Sequence, residues 1–505
     1  MARRARSRGS RKKSPKDKKV QKTKKVSDLE KKTDDTVKKT PQSPGKEKEV
    51  KHALKESSLS AWWKQNQNTV FILLGIMVMA FFIREYFYYK ISFNAWPPNI
   101  VGNDPSYHKR VIDFVQADLH HIHVDGLLNY PVSNVNPRPP IFDWSIAIMG
   151  FVISPLFGFN VDASTWYVYQ FAPTIWGVLT LIPVYLLGKE VFGRKAGLMA
   201  AFLLAITASH IERSTLGFTD HDSFIVFLVV LTMFFLSKSF FVQKERNYIS
   251  DWRKPNSVIL GFRSYFRENK TAMYYAGLTG VTMAAISLTW EGYAYVLAIL
   301  LIYYMIQLLL HRFRNEDSLG TFMVMYTAMG LVILISLPYY YTFSIATWSQ
   351  GFYIFLAMTM LGLFIVPTRD MPWLIVIPTL ALFLGASYAV LSYGFPQTAD
   401  LLFTGGGYFV SNKLYDTIAE AQAPELSRLV FTFGPGTFFL ALIGVVMAFI
   451  KIPKLMRKDY IVIVIWTAVA IFMAMSATRF NINATPAFAL LAGWVLVEAV
   501  RWLKA

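Results

Sequence analysis

The residues best suited to chemistry lie in a short turn, Arg213 to Asp222, between two strongly apolar runs. Asp220 and Asp222 flank His221 in this turn, and charged groups at the edge of a bilayer are costly unless they are used. Alternate residues of an extended turn point to one side, so the two carboxylates could hold a hard cation such as Mg²⁺ or Mn²⁺. They would also serve as helix-capping groups for the apolar run that follows. The turn alone leaves both interpretations open.

The composition indicates that membrane helices position this turn. Hydrophobic residues make up 54% of the 505 residues, and the chain has no cysteine, which excludes disulfides and a zinc–thiolate site. Residues 1–60 hold 21 Lys and Arg against 8 Asp and Glu, so they contribute +13 of the net charge of +19. Such a segment cannot bury a core, and we predict that residues 1–68 form a basic, disordered cytoplasmic tail.

Residues 69–505 are predicted to form one all-α, polytopic transmembrane domain with about twelve spans. The first span is 69–89, and the others lie near 165–187, 196–212, 223–241, 272–290, 292–311, 320–338, 350–367, 372–392, 431–450, 460–476 and 480–501. The apolar stretch 146–159 is too short to span and contains a proline, so we expect an interfacial helix there. Basic loops then fall on one side, which predicts a multi-pass protein of the cell membrane with both termini in the cytoplasm. Two long external loops are expected, 90–164 and 393–430.

This topology brings separate polar motifs to one membrane face. Asp104 lies in the first external loop, Glu420 in the long second one, and Arg479 at the start of the last span. Carboxylates that hold a metal can position an acidic substrate, while an arginine binds phosphate in bidentate fashion. The pattern therefore indicates an external site for a phosphate-bearing substrate.

The order of these motifs resembles the catalytic subunit of oligosaccharyltransferase, most closely its archaeal branch. The resemblance runs from about residue 69 to residue 501. Its motifs are G-N-D with Asp104, G-F-T-D-H-D with Asp220 and Asp222, T-I-A-E with Glu420, and R-F-N-I-N-A-T-P with Arg479. N-P-R-P-P (136–140) and T-W-E-G-Y (289–293) also have counterparts in that family. The resemblance implies a fold of the C-type glycosyltransferase superfamily, with a long first external loop.

The resemblance also implies a function. A metal-dependent enzyme of this family transfers an oligosaccharide from dolichyl phosphate or diphosphate to asparagine in Asn-X-Ser/Thr. Asp104 and Glu420 would be catalytic, and Arg479 would bind the donor phosphate. Mn²⁺ or Mg²⁺ would be held by Asp104, Asp220, Asp222 and Glu420. Arg213 and His221 would support the acceptor or metal site.

The expected partners are a lipid-linked oligosaccharide, an acceptor polypeptide and the membrane, with no specific nucleic acid. The family's W-W-D-Y-G motif, which reads the Ser/Thr of the acceptor, does not occur in this sequence. The chain would then be either a fragment or the donor-binding half of a split enzyme whose partner carries this motif. Two other interpretations stay open: a different polyprenyl-phosphate-sugar glycosyltransferase, which has no need of T-I-x-E, and a transporter or non-enzymatic subunit.

Overall fold

The computed structural model describes residues 44–86, 88–100, 102–343, 348–368, 371–394, 418–455 and 457–504, with the single positions 396 and 399. Residues up to Val70 group apart from Phe71–Ala505. The fold and the sites described below belong to the second of these units.

The described residues are almost entirely helical, which confirms the all-α fold class. In chain order the helices are α1 Pro44–Glu85, α2 Tyr89–Ser92, α3 Asn103–Asp118, α4 Ile141–Phe157, α5 Val161–Leu179, α6 Leu181–Val191, α7 Arg194–Ala205, α8 Ala208–Glu212, α9 Asp222–Val242, α10 Pro255–Glu268, α11 Lys270–Ser287, α12 Ala294–Phe313, α13 Leu319–Thr342, α14 Trp348–Ile365, α15 Trp373–Ala389, α16 Leu426–Phe433, α17 Pro435–Leu455, α18 Lys458–Ser476 and α19 Asn481–Trp502. Short 3₁₀ turns occupy Glu291–Tyr293, Ala419–Ala421 and Thr478–Phe480, and a π turn occupies Val390–Gly394.

Every segment predicted to span contains a helix. Eight helices of the described residues are long and apolar enough to cross a membrane, or nine if one bent pair counts as a span. That pair is α16 and α17, bent by 99° at Gly434, whose φ of +79° interrupts the helix. The segment predicted at 196–212 is also broken, because α7 ends at Ala205 and α8 starts at Ala208. Such breaks account for two of the four predicted spans that are missing from the eight long helices; the other two, 272–290 and 350–367, contain the shorter or less apolar helices α11 and α14.

The segment 90–164 precedes the main helices and packs into the same hydrophobic core. It contains α3, a two-stranded antiparallel hairpin in which Val124 pairs with Val135, and α4. Helix α4 is apolar but has only 17 residues, with Pro155 in its last turn. Its length agrees with the predicted interfacial helix, whose position relative to the membrane stays a prediction.

Helices α9 and α19 lie at the centre of the bundle. Helix α9 packs against α11, α6, α18 and α5, whereas α19 packs against α7, α17 and α18. A Cβ atom on Gly493 would lie 2.7 Å from the backbone nitrogen of Ala200, so only glycine allows α19 to approach α7 this closely. Small residues at such crossings are typical of membrane bundles, where close backbone approach stabilises helix pairs.

The amino-terminal segment differs from the prediction in part. Residues 1–43 lie outside the described residues, but a helix begins at Pro44 and continues to Glu85. Residues 46–60 were expected to be disordered because they are polar, yet most of them are strong helix formers and none is glycine or proline. A polar segment with high helix propensity can extend an apolar helix even though it buries no core of its own.

Candidate active site

The motifs singled out in the sequence surround one cavity of about 330 Å³. They reach it from α3, from the loops before α4 and α9, from the turns at residues 290, 420 and 479, and from the start of α19. The cavity is lined by Gly102, Asn103, Asp104, Pro105, Arg138, Arg213, Phe218, Asp220, His221, Asp222, Ile225, Trp290, Glu420, Arg479, Phe480 and Asn483. All seven residues predicted for the site therefore contribute to its wall.

Asp104 lies in the first turn of α3 and forms an ion pair with Arg138. Arg138 Nη2 donates to Asp104 Oδ1 at 2.7 Å, and the arginine is the more buried partner, with 16% of its side chain exposed. Burial would lower the pKa of Arg138, but the carboxylates of Asp104, Asp220 and Asp143 together raise it. Gly102, at φ +102°, lets the chain turn sharply into α3. One carboxylate of the site is thus held by the N-P-R-P-P loop.

Arg213 connects the D-H-D turn to the loop that carries Glu420. It donates from Nη1 to Asp222 Oδ2 at 3.0 Å and from Nη2 to Glu420 Oε2 at 3.1 Å. Burial would lower the pKa of Arg213, yet these two carboxylates raise it. Arg479 Nη1 lies 3.9 Å from Glu420 Oε1 on the other side. Glu420 thus lies between two guanidinium groups.

Asp220 belongs to a second, more deeply buried network with two histidines. Its Oδ1 lies 2.7 Å from His221 Nδ1 and 3.6 Å from His108 Nε2, and the two ring nitrogens are 3.0 Å apart. On the far side His108 Nδ1 donates to Asp143 Oδ1 at 2.7 Å. Burial would lower the pKa of His108, but the Asp143 carboxylate raises it to about 9. Burial would likewise raise the pKa of Asp220, yet the two histidines hold it well below its usual value.

These two networks offer different donor sets for a metal ion. One ligand atom each from His108, Asp220 and His221 falls within 4.8 Å of the others, and all three residues are buried. A cation between them would accept all three lone pairs, and Asp143 would orient His108 as carboxylates commonly orient metal-bound histidines. The acidic set predicted from sequence faces the same cavity, but Asp104, Asp222 and Glu420 each pair with an arginine. The residues present fit a divalent cation, with Asp220 common to both sets.

His108, Asp143 and Arg138 were not predicted as site residues from the sequence. A signal for His108 was present, because it follows Asp104 by four residues and so lies on the same face of a helix. Arg138 and Asp143 lie in and just after N-P-R-P-P, a motif noted only for its resemblance. Their roles depend on the packing of α3 against α4, which residue spacing does not reveal.

The fold and the cavity together define a multi-pass α-helical membrane protein with acidic, histidine and arginine side chains around one site. Residues 68–502 match the family described as Oligosaccharyl transferase STT3, N-terminal, and the chain belongs to this family.

Several relatives are similar in sequence over shorter stretches. Dolichyl-phosphooligosaccharide-protein glycotransferase 3 of Archaeoglobus fulgidus is 29% identical over 253 residues, which cover 49% of this chain and 27% of that protein. Glycotransferase 2 of the same organism is 30% identical over 168 residues, covering 33% of this chain and 26% of the relative.

Solved structures extend the likeness to most of the chain. The apo oligosaccharyltransferase of A. fulgidus superposes with a TM-score of 0.71 at 22% identity, over 88% of this chain and 52% of that one. The archaeal oligosaccharyltransferase AglB of A. fulgidus, in complex with an inhibitory peptide and a dolichol-phosphate, gives 0.70 at 22% identity, over 88% and 51%. The likeness at this identity establishes the shared fold. The chain spans about half the length of these solved relatives.

Proposed function

We propose that this chain transfers an oligosaccharide from a dolichyl phosphate or diphosphate carrier to the asparagine of Asn-X-Ser/Thr in a polypeptide. One observation carries this proposal: Asp104, Asp220, Asp222, Glu420 and Arg479 line a single cavity although they are far apart in sequence. Family membership supports it, as does the solved relative that contains a peptide and a dolichol-phosphate.

The donor phosphate is proposed to bind at Arg479. Its side chain is 36% exposed at the cavity wall, so its planar guanidinium can reach a ligand and bind phosphate oxygens in bidentate fashion. Arg138 also lines this cavity and adds positive charge to its wall. Both groups would stabilise negative charge that grows on the leaving phosphate.

The metal is proposed to be Mn²⁺ or Mg²⁺, held by Asp220 together with Asp104, Asp222 and Glu420. When bound, the cation would offset the negative charge of the donor phosphate and of the carboxylates around it. Carboxylate ligands suit both ions, and a ligating histidine such as His221 would favour Mn²⁺ over Mg²⁺. His108 and Asp143 are proposed as positioning residues behind this set. Asp222 and Glu420 would give up their ion pairs with Arg213 if they bound the cation through the same oxygens.

The transfer is a substitution at the anomeric carbon of the donor sugar. The amide nitrogen of the acceptor asparagine forms a bond to that carbon, and the bond from the carbon to the phosphate oxygen breaks. The phosphate leaves with the electron pair, and the nitrogen loses one proton to a carboxylate. Asp104 and Glu420 are proposed to bind the amide and to accept that proton, because both have exposed carboxylates at the cavity.

A different polyprenyl-phosphate-sugar glycosyltransferase is the main alternative. Such an enzyme would share Asp104 and Arg479 but would not need a carboxylate from the second external loop. Glu420 pairs with Arg213 at the cavity, and this favours the oligosaccharyltransferase. Reading of the Ser/Thr by a partner with W-W-D-Y-G stays a prediction.

The test is transfer by the purified full chain from a labelled lipid-linked glycan to Asn-X-Thr and Asn-X-Ala peptides. Mass spectrometry would locate the glycan, and we expect it on asparagine, with loss of transfer after chelation and recovery on adding Mn²⁺. Transfer to a hydroxyl group or to a lipid would support the alternative enzyme. Transfer that persists in full after chelation would refute the metal proposal.

The protein is a multi-pass membrane protein, and we propose that it lies in the cell membrane with the site outside and both termini in the cytoplasm. The absence of cysteine allows a clean test with single introduced cysteines. Tyr130, in the first loop, and Lys254, between α9 and α10, are both exposed. An impermeant thiol reagent should label Tyr130→Cys in intact cells and leave Lys254→Cys unlabelled, and the opposite pattern would invert the topology.

A further inference from the structure

A second cavity of about 600 Å³ lies between α1, α7 and α19, away from the candidate active site. It is an open groove with a mostly apolar wall and basic residues at one end. Its lining is Ile72, Ile76, Lys195, Leu198, Met199, Phe202, Leu496, Val497, Val500, Arg501 and Lys504. We call it the basic-ended groove.

Helix α1 is most deeply buried at its Arg84 end, and Leu73, Ile76 and Met77, closer to the groove, pack only partly buried against the core of the bundle. Arg84, at that end, is fully buried and donates to Ser214 Oγ at 2.7 Å and to the Ala205 carbonyl at 3.2 Å. Ile72 lies twelve residues earlier, roughly 18 Å along the helix, and 52% of it is exposed. The other two walls, α7 and α19, are packed tightly at Gly493. The groove therefore lies between this tightly packed helix pair and a stretch of α1 that is only partly buried.

The basic end lies far from the candidate active site. Asn483, in the first turn of α19, lines the active-site cavity, whereas Arg501 and Lys504 lie at the other end of the same helix. The 22 residues of α19 correspond to a length of about 33 Å, close to the thickness of a hydrocarbon core. The basic end should thus lie at the opposite membrane boundary, where lipid headgroups are.

The three basic residues leave net positive charge at that boundary. Arg501 Nη1 lies 2.5 Å from Glu498 Oε1, so this pair is nearly neutral. Lys195 and Lys504 are exposed, and neither forms an ion pair within the described part of the chain. A ligand that combines a hydrocarbon chain with a negative headgroup matches both parts of the groove.

We propose that the basic-ended groove binds an anionic membrane lipid. One hydrocarbon chain lies along Ile76, Met199 and Val497, and the headgroup phosphate lies between Lys195 and Lys504. A zwitterionic lipid fits the apolar wall equally well, but its own cationic group offsets the attraction to the lysines. The groove should therefore select lipids by headgroup charge.

The experiment is native mass spectrometry of the purified full chain, titrated with phosphatidylglycerol or with phosphatidylcholine of the same chains. Each basic residue near a membrane surface contributes about fivefold to the binding of anionic lipid. Lys195→Gln combined with Lys504→Gln should weaken phosphatidylglycerol binding about 25-fold, on the order of the product of two such factors. The matched control, Lys254→Gln combined with Lys270→Gln, removes the same charge from exposed positions outside the groove and should change little.

A second variant tests the apolar part without changing any charge. Met199→Trp places a larger side chain in the path of the hydrocarbon chain and should weaken the phosphatidylglycerol complex, while thermal unfolding and glycan transfer stay near wild type. Equal affinity for the two lipids, or an equal loss in the control pair, would overturn the proposal. A polyprenyl phosphate that binds while phosphatidylglycerol does not would also overturn it, as would a stable dimer that excludes lipid.

Discussion

Replacing Glu420 by glutamine tests the acidic site most directly. The carboxylate lies on the turn Ala419–Ala421, accepts from Arg213 at 3.1 Å, and is 3.9 Å from Arg479. Glutamine keeps the size and one acceptor oxygen but removes the negative charge that a divalent cation prefers in a ligand. We expect Glu420→Gln to lose glycan transfer while the protein stays folded.

The structure indicates how large each effect should be. The side chains of Glu420 and Arg479 are 40% and 36% exposed, and that of Arg213 is 21% exposed. Ion pairs of this exposure contribute about 0–1 kcal/mol, so the free energy of unfolding should fall by no more than this. Loss of a residue that only supports metal ligands already costs about 10–100-fold. Loss of a direct ligand should lower kcat/KM by at least about 100-fold, or about 2.7 kcal/mol.

The assay combines transfer from a labelled lipid-linked glycan with Mn²⁺ binding followed by electron paramagnetic resonance. Glu425→Gln is the matched control, because it is the same change at an exposed carboxylate five residues away that does not line the cavity. Unchanged Mn²⁺ affinity in Glu420→Gln would remove this residue from the ligand set. An equal loss of transfer in the control would mean that the whole loop, rather than this carboxylate, is required.

Three further substitutions test other parts of the site and its support. Arg479→Lys should slow transfer by ~2–4 kcal/mol in the transition state, because lysine lacks the planar fork that binds phosphate; wild-type kinetics with the lipid donor would contradict this. Asp143→Asn should weaken Mn²⁺ binding about 10–100-fold because it no longer orients His108, and higher Mn²⁺ concentration should restore glycan transfer. An unchanged Mn²⁺ affinity would mean that the Asp143–His108 pair has only a structural role. Arg84→Gln should lower stability by about 1.5–3 kcal/mol, the contribution of a buried charged hydrogen bond, which a thermal or denaturant unfolding curve would detect.

The sequence predicted the helices well because a long apolar run in a membrane must satisfy its own backbone hydrogen bonds, which a helix does. It predicted less well where those helices break. Two of the breaks, at Gly434 and between Ala205 and Ala208, fall inside windows that are apolar on average, although Pro435 follows the first and Thr207 lies within the second. Hydropathy averages over such a window, so a change of backbone direction at one residue leaves no trace in it. The α7–α8 break matters to the site, because α8 leads directly into the turn that carries Arg213 and Asp220.

The residues of the site could be predicted from the sequence, but the side chain that pairs with each of them could not. The convergence of Asp104, Asp220 and Glu420 follows from placing their loops on one membrane face, which needs only topology. The partner of each carboxylate depends on side-chain geometry, and in this structure the partners are arginines. Carboxylates that face one another repel strongly without a cation unless another group neutralises their charge. Arg138 and Arg213 occupy that role in the structure.

This pairing has a consequence for how the site would accept a metal. Arg138, Arg213 and Arg479 offset the charge of Asp104, Asp222 and Glu420, so these carboxylates gain no large repulsion when the cation is absent. Asp220 is satisfied separately by its two histidines. Each arginine binds one oxygen of its carboxylate, so a divalent cation that took the same oxygen would make the guanidinium group release that carboxylate. The released arginines become free to bind phosphate, because a guanidinium cannot be deprotonated and needs another anion. Metal binding and donor binding should therefore be coupled through Arg213 and Arg479, each favouring the other.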